Sequence, residues 1–85
     1  MNVGDHVECR HGAKWQESHR QRDQRKARML GKTRGMFMGK AAAYMHLDEA
    51  YVIESIDRTG GVKLRGFFAT VSQNDLQIST KPVFR

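Results

Sequence analysis

Basic side chains are concentrated in one segment of this 85-residue chain. From Arg10 to Lys40 there are ten lysines and arginines but only two acidic residues, so this segment has a net charge of +8. The residues before it carry −2 and those after it are neutral, which leaves a formal net charge of +6. Lysine and arginine neutralise phosphates and release the counterions that phosphates condense. The sequence therefore predicts binding to nucleic acid, either RNA or DNA.

The candidate binding residues form two groups. The first contains the basic residues of the segment and its tryptophan, an aromatic ring on which bases stack. Its members are Lys14, Trp15, Arg20, Arg22, Arg25, Lys26, Arg28, Lys32 and Arg34. The second group lies on a later strand, where alternation places Lys63, Arg65 and Phe67 opposite Leu64 and Phe68. An acidic surface of a nucleic-acid-processing protein is the alternative partner, because charge attraction alone does not distinguish the two.

The other chemically reactive side chains match no known catalytic or metal-binding pattern. His6, Cys9, His11 and His19 do not have the spacing of a standard zinc site. On a strand, His6 points away from Cys9, so the two residues do not share a metal easily. The three glycines of residues 31–39 lack the strand–turn–helix setting of a phosphate-binding loop. We expect no enzymatic activity, no metal, no cofactor and no small-molecule substrate.

The basic residues need an element that presents them, and the composition from Ala13 to Leu30 favours a helix without proline. Residues 17–26 include no apolar side chain, so this helix has no apolar stripe in its middle. Such a helix is exposed to solvent, bound to a partner or not stably formed. The three glycines within residues 31–39 indicate an irregular connection over residues 32–40, and residues 41–47 are predicted to form a short helical turn.

The remaining residues have the pattern of short β-strands. Residues 3–10 alternate, which predicts a strand that buries Val3, Val7 and Cys9. Further strands are predicted at 51–56, 62–68 with a continuation at 69–71, and 76–78, with turns at 57–61 and 72–75. Pro82 is expected to discourage further sheet pairing in the tail. We predict one mainly β domain with strands in 1–12 and 49–79, a basic helical insertion at 13–47 and a tail at 80–85.

Two short motifs resemble a known family. Gly4-Asp5-x-Val7 resembles the opening of SH3-like barrels, including the KOW type of ribosomal proteins and transcription-elongation factors. Residues 51–57, the glycine turn and Val62-Lys63-Leu64 are similar to small barrel proteins common in phage and prophage genomes. The resemblance covers residues 2–10 and 49–79 and implies a small SH3-like barrel of four or five strands. Such barrels bind RNA, DNA, peptides or larger machines, and few are enzymes.

A second hypothesis places the protein in a different class. The small size and the phage-like pattern also fit an effector that docks on a host enzyme or polymerase and modulates it. Met36, Phe37, Met38 and Met45 would then form an adaptable partner contact, or they would instead close the core. One cysteine excludes an internal disulfide, and we see no leader or membrane-spanning run. We expect the protein in the cytoplasm, which is the host cytoplasm if a phage encodes it.

Overall fold

A computed structural model describes residues 1–29 and 40–83. The strands are β1 (His6–Cys9), β2 (Tyr51–Ile56), β3 (Gly61–Leu64), β4 (Thr70–Ser72) and β5 (Leu76–Ile78). The helix α1 (Ala13–Met29) lies between β1 and β2, and short 3₁₀ helices occupy Ala41–Tyr44 and Gln73–Asp75. The predictions of a mainly β protein and of a helix between the first two strands are confirmed. The predicted irregular connection lies almost wholly outside the described residues.

The five strands form one antiparallel sheet in the order β4-β3-β2-β1-β5. Val7 of β1 is opposite Tyr51 of β2 on one side and Ile78 of β5 on the other. The first and last strands of the chain are therefore neighbours. Strands β4 and β5 are the two edges of this order, and no described ladder joins them. The described sheet is thus open, and closure into an SH3-like barrel is not confirmed.

The core combines one face of the sheet with the first 3₁₀ helix. Its buried members are Val7, Cys9, Ala41, Ala42, Met45, Tyr51, Ile53, Val62, Leu64, Val71 and Leu76. Val3 is 64% exposed because the strand begins only at His6, so its predicted burial was wrong. Ala41, Ala42 and Ala43 are buried and small, and their turn therefore lies close against its neighbours. Its backbone carbonyls consequently need partners from within the protein.

The predicted strand at 62–68 was wrong beyond Leu64. Gly66 has a φ of +72°, in the region that favours glycine, and Phe67 N donates to Leu64 O at 3.2 Å. This turn interrupts the alternation of the strand. Phe67 is half-buried against the core, whereas Phe68 is 64% exposed. The two phenylalanines therefore have the opposite orientation to the one the alternation predicted.

The last described residues contact the sheet. Val83 forms an isolated parallel bridge with Ala50, whose N–H donates to Pro82 O at 2.6 Å. The tail was expected to pair no further because of Pro82, but proline, which lacks an N–H, keeps a carbonyl that accepts this bond. Lys81 Nζ lies 2.7 Å from Glu8 Oε2. The hydrogen bond from Lys81 lowers the pKa of the Glu8 carboxyl.

Candidate nucleic-acid interface

Polar side chains attach α1 to the first 3₁₀ helix. Gln16 is only 3% exposed, and its Nε2 donates to Ala42 O at 2.9 Å and to Met45 O at 2.8 Å. The amide thus supplies donors to two carbonyls of a buried turn. Gln16 was not among the predicted functional residues, because an apolar stripe, the usual sign of a docked helix face, does not include glutamine. Helical spacing of polar residues opposite an alanine-rich turn was the available signal.

Two further residues on the same side of α1 continue this attachment. Arg20 Nη1 donates to Ala43 O at 2.8 Å, and Tyr44 Oη donates to Asp23 Oδ2 at 2.5 Å. Positions 16, 20 and 23 are separated by four and three residues, so they share one face of the helix. Burial, the hydrogen bond to Asp23 and its charge raise the pKa of Tyr44 to about 12. The helix is therefore docked through Gln16, Arg20 and Asp23, which we call the docking stripe.

The other side of α1 is positively charged. Its exposed cations are Lys14, Arg22, Arg25, Lys26 and Arg28. With 3.6 residues per turn these positions span an arc of about 160° around the helix axis. Within residues 1–29 and 40–83, none of the five forms a salt bridge. We call this surface the basic face of α1.

The three lysines that the structure describes outside the helix have acidic partners. Lys40 Nζ lies 3.7 Å from Asp75 Oδ2, and Lys63 Nζ lies 3.7 Å from Glu54 Oε2. Together with the Glu8–Lys81 pair, these contacts partly neutralise the charge around the sheet. The unbalanced positive charge of the described residues is therefore concentrated on α1.

The predicted binding residues that are not on the basic face of α1 do not together form a second exposed basic cluster in the described structure. Arg20 is half-buried in the docking stripe, and Arg65 is exposed just after β3. Lys32 and Arg34 lie outside the described residues. The ring of Phe67 packs edge-to-face on Tyr51, with centroids 5.4 Å apart. The prediction that Phe67 lies on the side of the strand opposite Leu64 was wrong, because the turn at Gly66 directs its ring to the core.

Trp15 lies between two histidines that are four residues away in the chain on either side. Its ring stacks on His11 at 3.9 Å and 18°, and it is tilted by 42° against His19 at 4.3 Å. His11 Nε2 is in turn 3.0 Å from Asp75 Oδ1, and Trp15 is half-buried against the core. These contacts anchor the beginning of α1. A role for Trp15 in stacking on bases stays a prediction.

The methionines proposed as a partner contact are divided between two environments. Met45 is buried in the core, which favours the core-closing alternative for this residue. Met36, Phe37 and Met38 lie outside the described residues. Cys9 is also buried, and its burial raises the pKa of the thiol. A thiol of this kind stays protonated at neutral pH and is a poor nucleophile.

Residues 1–29 and 40–83 contain no cluster of three histidine, cysteine or acidic side chains placed to hold a metal ion. Among these same residues, no helix combines the length and the apolar character needed to cross a bilayer. Comparison with protein-family models, with curated proteins and with solved structures finds no match to this chain.

Proposed function

We propose that this protein binds nucleic acid through the basic face of α1. The observation that carries the proposal is the set of five exposed cations without carboxylate partners in the described chain. Cations already paired with carboxylates gain less from a phosphate, because the existing pair must be broken or shared. Unpaired lysines and arginines bind phosphates and release condensed counterions. Affinity from this source has little sequence specificity.

The docking stripe supports the proposal because it fixes the helix before any ligand binds. A preformed surface loses less conformational entropy on association than a segment that must first fold. The stripe also removes one of the two acidic residues of the helix from the surface. Asp23 is 6% exposed and accepts a hydrogen bond from Tyr44, so it faces away from the cations. Glu17 is the exposed acid that remains on α1.

We propose an SH3-like architecture for the sheet that carries this helix. Two observations support it: the pairing of β1 with both β2 and β5, and the short polar 3₁₀ helix immediately before β5. Lys63 and Arg65 would then add positive charge beyond the helix, and Lys32 and Arg34, outside the described residues, stay predicted binding residues. Arg65 is the stronger candidate, since Glu54 already pairs with Lys63. The resemblance to SH3-like barrels implies a binding module, and the absence of catalysis stays an expectation.

The test is binding to labelled single- and double-stranded DNA and RNA over a series of salt concentrations. The variants are wild type and the triple variant Arg22→Ala/Arg25→Ala/Lys26→Ala. We expect affinity to fall steeply as salt rises. For single strands, loss of three phosphate contacts should make the slope of log K against log salt shallower by about 2. Far-UV circular dichroism verifies that the triple variant keeps its helix, since alanine is a good helix former.

Arg25→Ala is a single-residue test of the basic face of α1, and Arg58→Ala is its matched control. Both remove one exposed arginine, the first from the basic face of α1 and the second from the turn after β2. Equal weakening by the two variants would contradict a localised interface, because net charge alone would then explain binding. If no nucleic acid binds at either salt extreme, the proposal is wrong. Nuclease-resistant recovery of one acidic host protein from lysate would then favour the effector hypothesis.

A further inference from the structure

The outermost side of α1 carries glutamine as well as arginine. With 3.6 residues per turn, Arg25 lies almost directly opposite the docking stripe. Gln21 precedes Arg25 by four residues and Arg28 follows it by three, so the three positions share one face of the helix. All three side chains are exposed. They therefore form a ridge along the side of α1 that faces away from its docked side, and we call this row the outer ridge.

An open notch lies along the outer ridge. It has a volume of about 170 Å³ and is lined by Gln21, Gln24, Arg25 and Arg28. Among residues 1–29 and 40–83, the side chains of Gln24 and of the two arginines have no hydrogen-bond partner. Gln21 Nε2 donates to Glu17 Oε1 over a long 3.4 Å. The walls of the notch thus consist of amide and guanidinium groups that can bind a ligand with hydrogen-bonding edges.

Glutamine and arginine are side chains that recognise DNA bases through two hydrogen bonds each. The arginine fork fits O6 and N7 of guanine, and the glutamine amide fits N6 and N7 of adenine. These atoms line the major groove of B-form DNA, which is about 12 Å wide and admits an α-helix. With 17 residues, α1 is about 25 Å long and about 10–12 Å across with its side chains. The helix therefore matches the groove both in width and in the chemistry of its outer ridge.

We infer that α1 is a recognition helix that enters the major groove of duplex DNA, where Gln21, Arg25 and Arg28 bind base edges. The inference rests on the proposed function and adds sequence selectivity to it. Arg22 and Lys26 lie on one flank of the outer ridge, where they can contact phosphates at one wall of the groove. Duplex RNA does not accept such a helix, because its major groove is deep and narrow. Single strands bind largely by stacking on aromatic rings, and the exposed side chains described on this helix include none.

The experiment selects tightly bound duplexes from a random DNA pool and compares the selected duplex with a scrambled duplex of the same composition. Gln21→Ala removes an amide from the outer ridge, and the control Gln77→Ala removes an exposed amide from strand β5. Wild type and Gln77→Ala should prefer the selected duplex at least about fivefold, since one bidentate contact discriminates about 5- to 150-fold. Gln21→Ala should lose the preference at one base pair by a factor in this range. Its salt slope should not change, because glutamine neutralises no phosphate.

A base analogue tests the groove itself. Replacing the guanines of the selected duplex with 7-deazaguanine removes the N7 acceptor from the major groove and leaves the phosphates in place, so wild type should bind more weakly. The inference is wrong, and the basic face stands, if all duplex sequences bind equally with a steep salt slope. The same conclusion follows if the analogue binds as well as guanine, if Gln21→Ala behaves like Gln77→Ala, or if duplex RNA or a single strand binds more tightly than the selected duplex. Absence of any nucleic-acid binding overturns both the inference and the proposed function.

Discussion

Replacing Gln16 with methionine tests whether polar hydrogen bonds hold α1 in place. Methionine has a similar length and a similar helix propensity, so the variant removes the amide donors and little else. Met45 O would lose its only described donor, and a buried unsatisfied acceptor costs about 1–3 kcal/mol. Ala42 O would keep the N–H of Met45 at 3.3 Å and lose one net hydrogen bond, about 1 kcal/mol.

Burial of a methionine in place of the amide offsets about 1 kcal/mol of this loss. The expected decrease in the free energy of unfolding is therefore about 2 kcal/mol. A domain of this size has a total stability of about 4–13 kcal/mol, so the decrease is a substantial fraction of it. The corresponding fall in Tm is about 8–16 °C. Gln24→Met is the matched control, because Gln24 is exposed on the same helix and should change stability by less than about 0.5 kcal/mol.

Urea denaturation followed by two probes provides the measurement. The single tryptophan, Trp15, reports on the beginning of α1, and far-UV circular dichroism reports on the whole chain. Coincident transitions indicate that the helix undocks as part of global unfolding. A difference of less than about 0.5 kcal/mol between Gln16→Met and Gln24→Met would refute the reasoning that polar bonds to buried carbonyls dock the helix.

Two further predictions concern pH. The pKa of Glu8 is lowered in the fold, mainly by the hydrogen bond from Lys81. The ionised Glu8 carboxylate therefore stabilises the fold above about pH 4.5, and this stabilisation disappears as pH falls through the folded pKa. The difference in urea midpoint between about pH 6 and pH 3 should be smaller for Glu8→Gln than for the control Glu17→Gln, and equal differences would contradict the ion pair. The pKa of Tyr44 is raised to about 12 from an ordinary value of 10.0, first by burial and then by its hydrogen bond to Asp23. The protonated Tyr44 hydroxyl therefore contributes its full stabilisation below pH 10, and this stabilisation is lost as pH rises toward about 12. Between about pH 9 and pH 11, the free energy of unfolding should consequently fall less for Tyr44→Phe than for wild type.

Elements whose local composition and periodicity agree with their final structure were predictable. Strand β2 was predicted with the bounds observed, because a run of β-branched and aromatic residues ends at a glycine-rich turn. Helix α1 was predicted to within its described end, because residues 13–29 contain neither glycine nor proline. The end of β3 was not predictable from alternation. The backbone of Gly66 decides it, and glycine is compatible with both a strand and a turn.

The way α1 docks depends on contacts that no local pattern contains. Gln16, Arg20 and Asp23 are ordinary residues for a solvated helix face. They become structural only because the turn at 41–44 presents buried carbonyls and a tyrosine hydroxyl to them. Their partners lie more than 20 residues away in the chain, as with the 26 residues between Gln16 and Ala42. Because these three side chains are polar, the search for an apolar stripe predicts that this face of α1 is exposed, whereas it is the face that docks the helix.

Residue types and local helix propensity were enough to locate the positive charge of this protein, because charge belongs to each side chain and α1 forms from local composition. Which of those charges stay unpaired depends on long-range contacts. Asp75, Glu54 and Glu8 come to lie beside Lys40, Lys63 and Lys81 through folding of the sheet, and two of these pairs join distant parts of the chain. The exposure of Phe68 was decided in the same way, by a turn and by aromatic packing. Coulomb attraction and stacking depend on distances between side chains, and the fold sets those distances.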